Sequence, residues 1–231
     1  MIQSEMLAMV RLRLDEALPG VGWSDAEIRG YINEGFRDIA RRTETIERTQ
    51  TISVSAGVQE HTLPADMIRL HRVEWKPTGQ SQVYPVEYHD FQNMDAVWWT
   101  GKETASGTPT LCTMWGYPPS LKLILYPRPQ LAGTLNVYYY SVPTGLATDG
   151  TDAAVTIPVP SGWEDLVAEY ATYLAFRKDQ NPRWQEARLA YEDNVTRMID
   201  LTRRWSDQPG GGISNSMGGL PAWLAGMDED W

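Results

Sequence analysis

Trp23-Ser24-Asp25-Ala26-Glu27-Ile28 decides how the first part of the chain folds. Ser24 followed three residues later by Glu27 is a capping box, in which the serine oxygen accepts the Glu27 amide and the glutamate reaches back to the serine amide. Two of the orphan donors at a helix start are thereby satisfied locally. Trp23, just outside the cap, and Ile28, one turn in, can close as a hydrophobic staple that sets the angle of entry. The helix so opened runs to about Arg42. Ile28, Tyr31 or Ile32, Phe36 and Ile39 share one stripe, while Arg29, Asn33, Glu34, Arg37, Asp38 and Arg41 take the other side. That stripe must be buried against another element. Upstream, Leu7, Val10, Leu14 and Ala17 form a second stripe between Ser4 and Leu18, which Pro19-Gly20 ends. Only Pro19 to Trp23 separate the two, so they are expected to pack as an antiparallel helix hairpin.

After Arg42 the period changes from helical to alternating. Ile52 and Val54, a turn at Ser55-Ala56-Gly57, and His61-Thr62-Leu63 read as a short hairpin, with Met67 to Trp75 as a further strand. Val83 to Val86 reads as another, followed by a short helix through Tyr88, Phe91 and Met94 and an exposed loop from Lys102 to Thr108. Thr110 to Tyr117, Leu121 to Tyr126 and Leu135 to Val142 then read as a three-strand meander, divided by Gly116-Tyr117-Pro118-Pro119 and by Pro127 to Gly133. Gly145 to Ala154 reads as a loop.

The helical period returns at Ser161-Gly162-Trp163-Glu164, a second capping box, with Leu166, Val167, Tyr170, Tyr173 and Leu174 as the apolar face. Asn181-Pro182 supplies a cap and a first-turn proline for a last helix carrying Trp184, Ala187, Tyr191, Val195, Met198, Leu201 and Trp205 at helical spacing. Two helices first, two last and strands between predict an α+β chain: a four-helix bundle with an inserted, mostly antiparallel β-domain. The expected divisions are an N-terminal helix pair (1–45), the β-domain (46–160), a C-terminal helix pair (161–206) and an extended arm (207–231).

The arm has its own composition. Pro209, Gly210 to Gly212, Gly218-Gly219 and Pro221 are dotted with Ile213, Leu220, Trp223, Leu224 and Trp231, too sparse for a core. A segment built this way is expected to order on a partner, with Trp223-Leu224 as its anchor.

Composition narrows the function. With 231 residues, 42% of them hydrophobic, the chain can bury a sizeable core. Twenty Lys+Arg against thirty Asp+Glu leave a formal charge of −10, the wrong sign for gripping nucleic acid or an anionic membrane. The single Cys112 allows no internal disulfide, so nothing calls for an oxidising compartment. No apolar run is long enough to span a bilayer, and Met1-Ile2-Gln3-Ser4-Glu5 lacks the zones of a secretion signal; a soluble protein made in the cytosol is expected. Ten Trp and eleven Tyr against three Phe suit half-buried core edges and assembly surfaces in equal measure.

Catalytic patterns are thin. His61, His71 and His89 are spread through the β-region without metal-ligand spacing, and Cys112 sits between Leu111 and Thr113 on an expected strand, as a small buried residue does. No glycine loop precedes a helix to cradle phosphate, and no Gly-x-Ser-x-Gly elbow occurs. Glu87, Asp90, Glu103 and Asp165 could supply a carboxylate pair in an aromatic-lined sugar cleft, a combination that any acidic, tryptophan-rich chain offers. No catalytic residue, metal ligand or cofactor is assigned.

The order of several stretches resembles one family. Trp23 to Ile28 leading to Tyr31-Ile32-Asn33-Glu34-Gly35, Leu63-Pro64-Ala65-Asp66-Met67-Ile68-Arg69-Leu70, Leu121 to Pro129, Val137-Tyr138-Tyr139-Tyr140 and the return to helix after Ile157-Pro158 are similar, in that order, to head-to-tail adaptors (connector or head-completion proteins) of tailed bacteriophages. The resemblance covers most of residues 1 to 206. It implies a non-enzymatic virion protein at the head-tail junction, assembled in the host cytoplasm: a homo-oligomeric ring, a dodecamer, beneath the portal protein and above a tail or nozzle protein. Helices would surround an axial channel through which DNA passes without specific binding, β-domains would face outward or tailward, and the C-terminal arm, with Ile213, Leu220, Trp223, Leu224 and Trp231, would reach the portal. No membrane is involved. A phage-associated carbohydrate-active enzyme and another tail or baseplate protein are the competing readings.

Overall fold

The computed structural model describes residues 1–15, 22–91 and 105–206, the last four of them as backbone. Two helices begin the chain, α1 (Gln3–Arg13) and α2 (Asp25–Thr43). The capping box of α2 forms as its sequence demands: Ser24 Oγ accepts the Glu27 amide at 3.3 Å and Glu27 Oε2 accepts the Ser24 amide at 3.0 Å. Trp23 and Ile28 enter one core, and Ile28, Ile32, Phe36 and Ile39 are buried along the helix. Arg11 draws α1 to the start of α2, donating to the Trp23 carbonyl at 3.2 Å and pairing with Asp25.

Strands occupy the middle of the chain: β1 (Glu47–Val54), β2 (Glu60–Thr62), β3 (Met67–Pro77), β4 (Tyr84–Tyr88), β5 (Ser106–Gly107), β6 (Leu111–Trp115), β7 (Lys122–Tyr126), β8 (Arg128–Pro129) and β9 (Gly133–Ser141). Seven of them make one mixed sheet in the order β1-β9-β3-β4-β6-β7-β2, with β4 and β6 parallel and every other pair antiparallel; β5 and β8 form a separate parallel pair. β1 and β2 stand at opposite edges although only residues 55–59 separate them, so the sheet curls until it is nearly closed. The Gly57 amide donates to the Pro129 carbonyl at 2.8 Å and the Leu125 amide to the Gln59 carbonyl at 3.0 Å, which ties that short connection across the gap.

Two expectations about the strands are corrected here. The strands on either side of Ser55-Ala56-Gly57 do not pair as a hairpin, and only β6 and β7 of the expected meander are neighbours. β9 instead lies between β1 and β3, because its nine residues find long partners there, along eight residues of β1 and most of the length of β3. β7, with five residues, matches β6 with five. Gly133 at the start of β9 permits the closest approach: a Cβ there would overlap the Lys76 carbonyl and the Trp75 indole.

Two helices end the described chain, α3 (Glu164–Lys178) and α4 (Trp184–Ser206). α2 packs on α3 and α3 on α4, with Gly35 of α2 letting Tyr170 and Val167 of α3 approach closely. These helices do not form the expected four-helix bundle core, although the chain is α+β. α1 is 11 residues long against 19, 15 and 23 for the others, and it makes no comparable contact with α4. Its Met6, Leu7, Val10 and Leu14 join the helical core beside α2 and α3, and its start is also held by the segment returning from the sheet, through the Ile2–Thr156 bridge and the Gln3 amide on the Val155 carbonyl at 3.0 Å. That segment also puts Ile157, Leu146 and Val159 into the helical core, so helices alone do not enclose it. The capping box at Ser161 does not form either. Gly162 adopts φ +90° and leaves Ser161 outside the helix start, while Glu164 accepts the Gly162 amide at 2.7 Å.

Candidate functional site

The residues tested for chemistry stay apart. His61 is mostly buried with Nε2–H donating to the Val58 carbonyl at 3.3 Å, and burial pushes its pKa down. His71 lies on the outside of β3, edge-on to the Tyr140 ring at 5.6 Å between centroids, and His89 Nε2 is 3.6 Å from Glu87. Cys112 is fully buried on β6, and burial pushes its thiol up to about 12; a thiol in that environment is a poor nucleophile. Asp165 belongs to α3 and pairs with Arg13 at 3.2 Å, whereas Glu87 and Asp90 flank the end of β4 in the sheet; Glu103 lies outside the described residues. Asp165 thus stands in the helix layer, apart from Glu87 and Asp90 in the sheet. Among the described residues, no group of three or more His, Cys, Asp or Glu side chains could hold a metal ion, and no helix is long and apolar enough to cross a membrane.

A surface is built more deliberately. Alternation along β9 sends Leu135, Val137 and Tyr139 into the sheet's core and leaves Asn136, Tyr138 and Tyr140 half-exposed on the outer face. Strand register then sets three rows across β1, β9 and β3: Thr51-Asn136-Glu74, Thr49-Tyr138-Arg72 and Glu47-Tyr140-Arg69. Side chains bond along and between the rows. Thr51 Oγ1 donates to Asn136 Oδ1 at 3.1 Å, Tyr138 donates its hydroxyl to Glu74 at 3.1 Å, and Arg72 pairs with Glu74 at 2.7 Å. The bond to Glu74 holds the Tyr138 proton and raises that hydroxyl's pKa. Arg69 lies 5.0 Å from the Tyr140 ring and pairs with Glu44 at 2.7 Å, while Arg48 pairs with Asp66 at 3.0 Å.

This face offers rings, hydroxyls and paired charges through which contacts can be made. Tyrosine and arginine are the residue types that interface cores favour, and each arginine here is already countered by a carboxylate, which removes the net positive potential a nucleic acid would need. Sequence reading located the Val137-Tyr138-Tyr139-Tyr140 alternation but not the neighbours of those tyrosines, since β1 and β3 reach them from distant parts of the chain, as Thr49 and Arg72 reach Tyr138. A second exposed group stands at the turn between β6 and β7, where Trp115 is 58% and Tyr117 86% exposed and Phe91 packs on Trp115 with centroids 4.6 Å apart. The arm residues Ile213, Leu220, Trp223, Leu224 and Trp231 lie outside the described residues.

Compared with known proteins, residues 1–213 match the family model described as SU10 adaptor protein, a stretch that takes in every described helix and strand. No curated protein matches the chain.

Proposed function

The chain belongs to the SU10 adaptor protein family, a phage head-to-tail adaptor family, and from that premise we propose that it is a structural component of the virion joining the capsid's portal to the tail. The match over residues 1–213 carries this reading, because it embraces the whole order of helix pair, sheet and helix pair and not one motif. The protein works by contacts and not by turnover. Copies assemble beneath the portal as a closed ring, a dodecamer, through heterologous contacts, and the ring continues the DNA channel. The parts divide the work as 1–45 and 161–206 for the helices about the channel, 46–160 for the tailward or outward β-region, and 207–231 for an arm that grips the portal through Ile213, Leu220, Trp223, Leu224 and Trp231. Two observations support this. A formal charge of −10 suits a channel that must pass a polyanion without holding it, and the arginines of the β1-β9-β3 face are spent on carboxylates of the same chain.

Negative-stain imaging of purified protein mixed with portal tests the reading. Rings coaxial with the portal are expected. Decoration confined to tail ends would instead identify a tail or baseplate protein.

A further inference from the structure

Among the described residues, the helix layer and the sheet keep separate apolar cores. One apolar cluster joins Phe36, Val167, Tyr191 and Ile157; the other joins Trp75, Leu123, Leu135 and Val137; no residue belongs to both. Among the described residues, no helix makes more than slight contact with any strand. The chain crosses between the two bodies twice, outward after α2 at residues 44–46 and back after β9 at residues 142–144.

A few polar bonds tie the crossings to each body. On the sheet side, the Ser141 amide donates to the Ile46 carbonyl at 2.9 Å and the Val142 amide to the Asp66 carbonyl at 2.8 Å. On the helix side, Arg37 Nε donates to the Pro143 carbonyl at 3.4 Å, and Asn33 holds Leu146. Between these anchors stands Glu44, the last residue of the helix side, in the left-handed region at φ 50° and ψ 41°. Among the described residues a single ion pair spans the two bodies: Glu44 with Arg69 of β3, whose guanidinium also lies against Tyr140.

We propose that this seam is a hinge and that Glu44–Arg69 is its latch, so that the sheet can swing relative to the helix layer. Bodies with separate apolar cores and a small polar seam move against each other unless something holds them, and an element-terminal residue is where such a change of φ and ψ is absorbed. The Arg69 side chain is 59% exposed, so the latch is screened by water and salt and is weak enough to open and close reversibly. In this arrangement the rows Thr49-Tyr138-Arg72 and Thr51-Asn136-Glu74 travel with the sheet, and a protein bound there would meet the helices at an adjustable angle. The proposal stands on the geometry of one chain and does not depend on the adaptor reading.

The test is a distance measurement by pulsed electron spin resonance on the full chain, with spin labels at Leu189→Cys on α4 and Lys76→Cys on β3. Both positions are exposed, Lys76 is at the end of β3 remote from the seam, where a swing is largest, and the buried Cys112 resists labelling. A principal distance with a minor second population is expected, and Arg69→Gln should raise the share of the second roughly two- to five-fold, as should 1 M salt. The exchanged pair Glu44→Arg with Arg69→Glu should restore the starting distribution. A single distance unchanged by Arg69→Gln and by salt would overturn the hinge, and a second population indifferent to both would overturn the latch and with it the proposal.

Discussion

Asn33 and Leu146, 113 positions apart, exchange two hydrogen bonds: Asn33 Nδ2 donates to the Leu146 carbonyl at 2.8 Å, and the Leu146 amide donates to Asn33 Oδ1 at 2.9 Å. A side-chain amide thus stands in for a strand neighbour, and it fastens the segment returning from the sheet against α2. Asn33 is buried, so Asn33→Ala leaves an amide and a carbonyl of Leu146 without partners in a place poor in water. The expected loss is about 2 kcal/mol of unfolding free energy, read from urea denaturation. An Asn33→Ala chain as stable as the parent would show that Leu146 finds other partners.

The Glu27 carboxyl should show in the pH dependence of stability. Its hydrogen bond from Lys178, followed by those from the Ser24 amide and hydroxyl, lowers its pKa from 4.5 to about 2. A folded-state pKa below the unfolded one means that its contribution is fully present above about pH 4.5 and fades as the pH falls toward 2. Thermal melts between pH 6 and pH 2 should fall less steeply for Glu27→Gln than for the parent chain. Parallel curves would remove Glu27 from the acid response.

If residues 207–231 grip the portal, the binding energy must come from few side chains, because a glycine-rich tether sets reach without direction. Trp223→Ala should weaken attachment by about 2 kcal/mol or more with no change in melting temperature. Deleting residues 209–231 should leave a folded protein that fails to join heads. Co-sedimentation with portal, alongside melts of each variant, decides this: a lowered melting temperature for Trp223→Ala would place the residue in the fold, and full affinity would place the anchor elsewhere.

Isolated protein should be monomeric or weakly associated, with rings appearing on the portal, and should not shift duplex DNA at physiological salt. Light scattering reads the first point and a mobility-shift titration the second. A stable ring without portal would reverse the order of assembly, and a salt-sensitive shift at micromolar protein would turn attention to Arg41-Arg42, Arg177-Lys178 and Arg203-Arg204, the adjacent basic pairs.

Some features were settled by residues within one helical turn or along one strand. Ser24 and Glu27 close the same capping box in any chain that leaves them free to do so, and the alternation of Leu135, Val137 and Tyr139 with Asn136, Tyr138 and Tyr140 assigns the faces of β9 before any partner is known. The order of such stretches sufficed for the family resemblance. What lay beyond the sequence's reach was every choice among equivalent partners. β7 and β3 both offered alternating apolar strands to β9, and only the summed pairing of the nearly closed sheet, with its matched lengths, selects β1 and β3. Ser161 carries the same capping signature as Ser24, yet Gly162 turns the chain before the helix begins and the box stays open. α1 has its apolar stripe, but the return segment binds its first turn and adds Ile157, Leu146 and Val159 to the core the helices share. Local hydrogen bonds and periodicity are energies of neighbours in sequence and can be read there; strand order, the rows of the β1-β9-β3 face and the Glu44–Arg69 contact are energies of residues brought together from a distance, and the tertiary structure alone decides them.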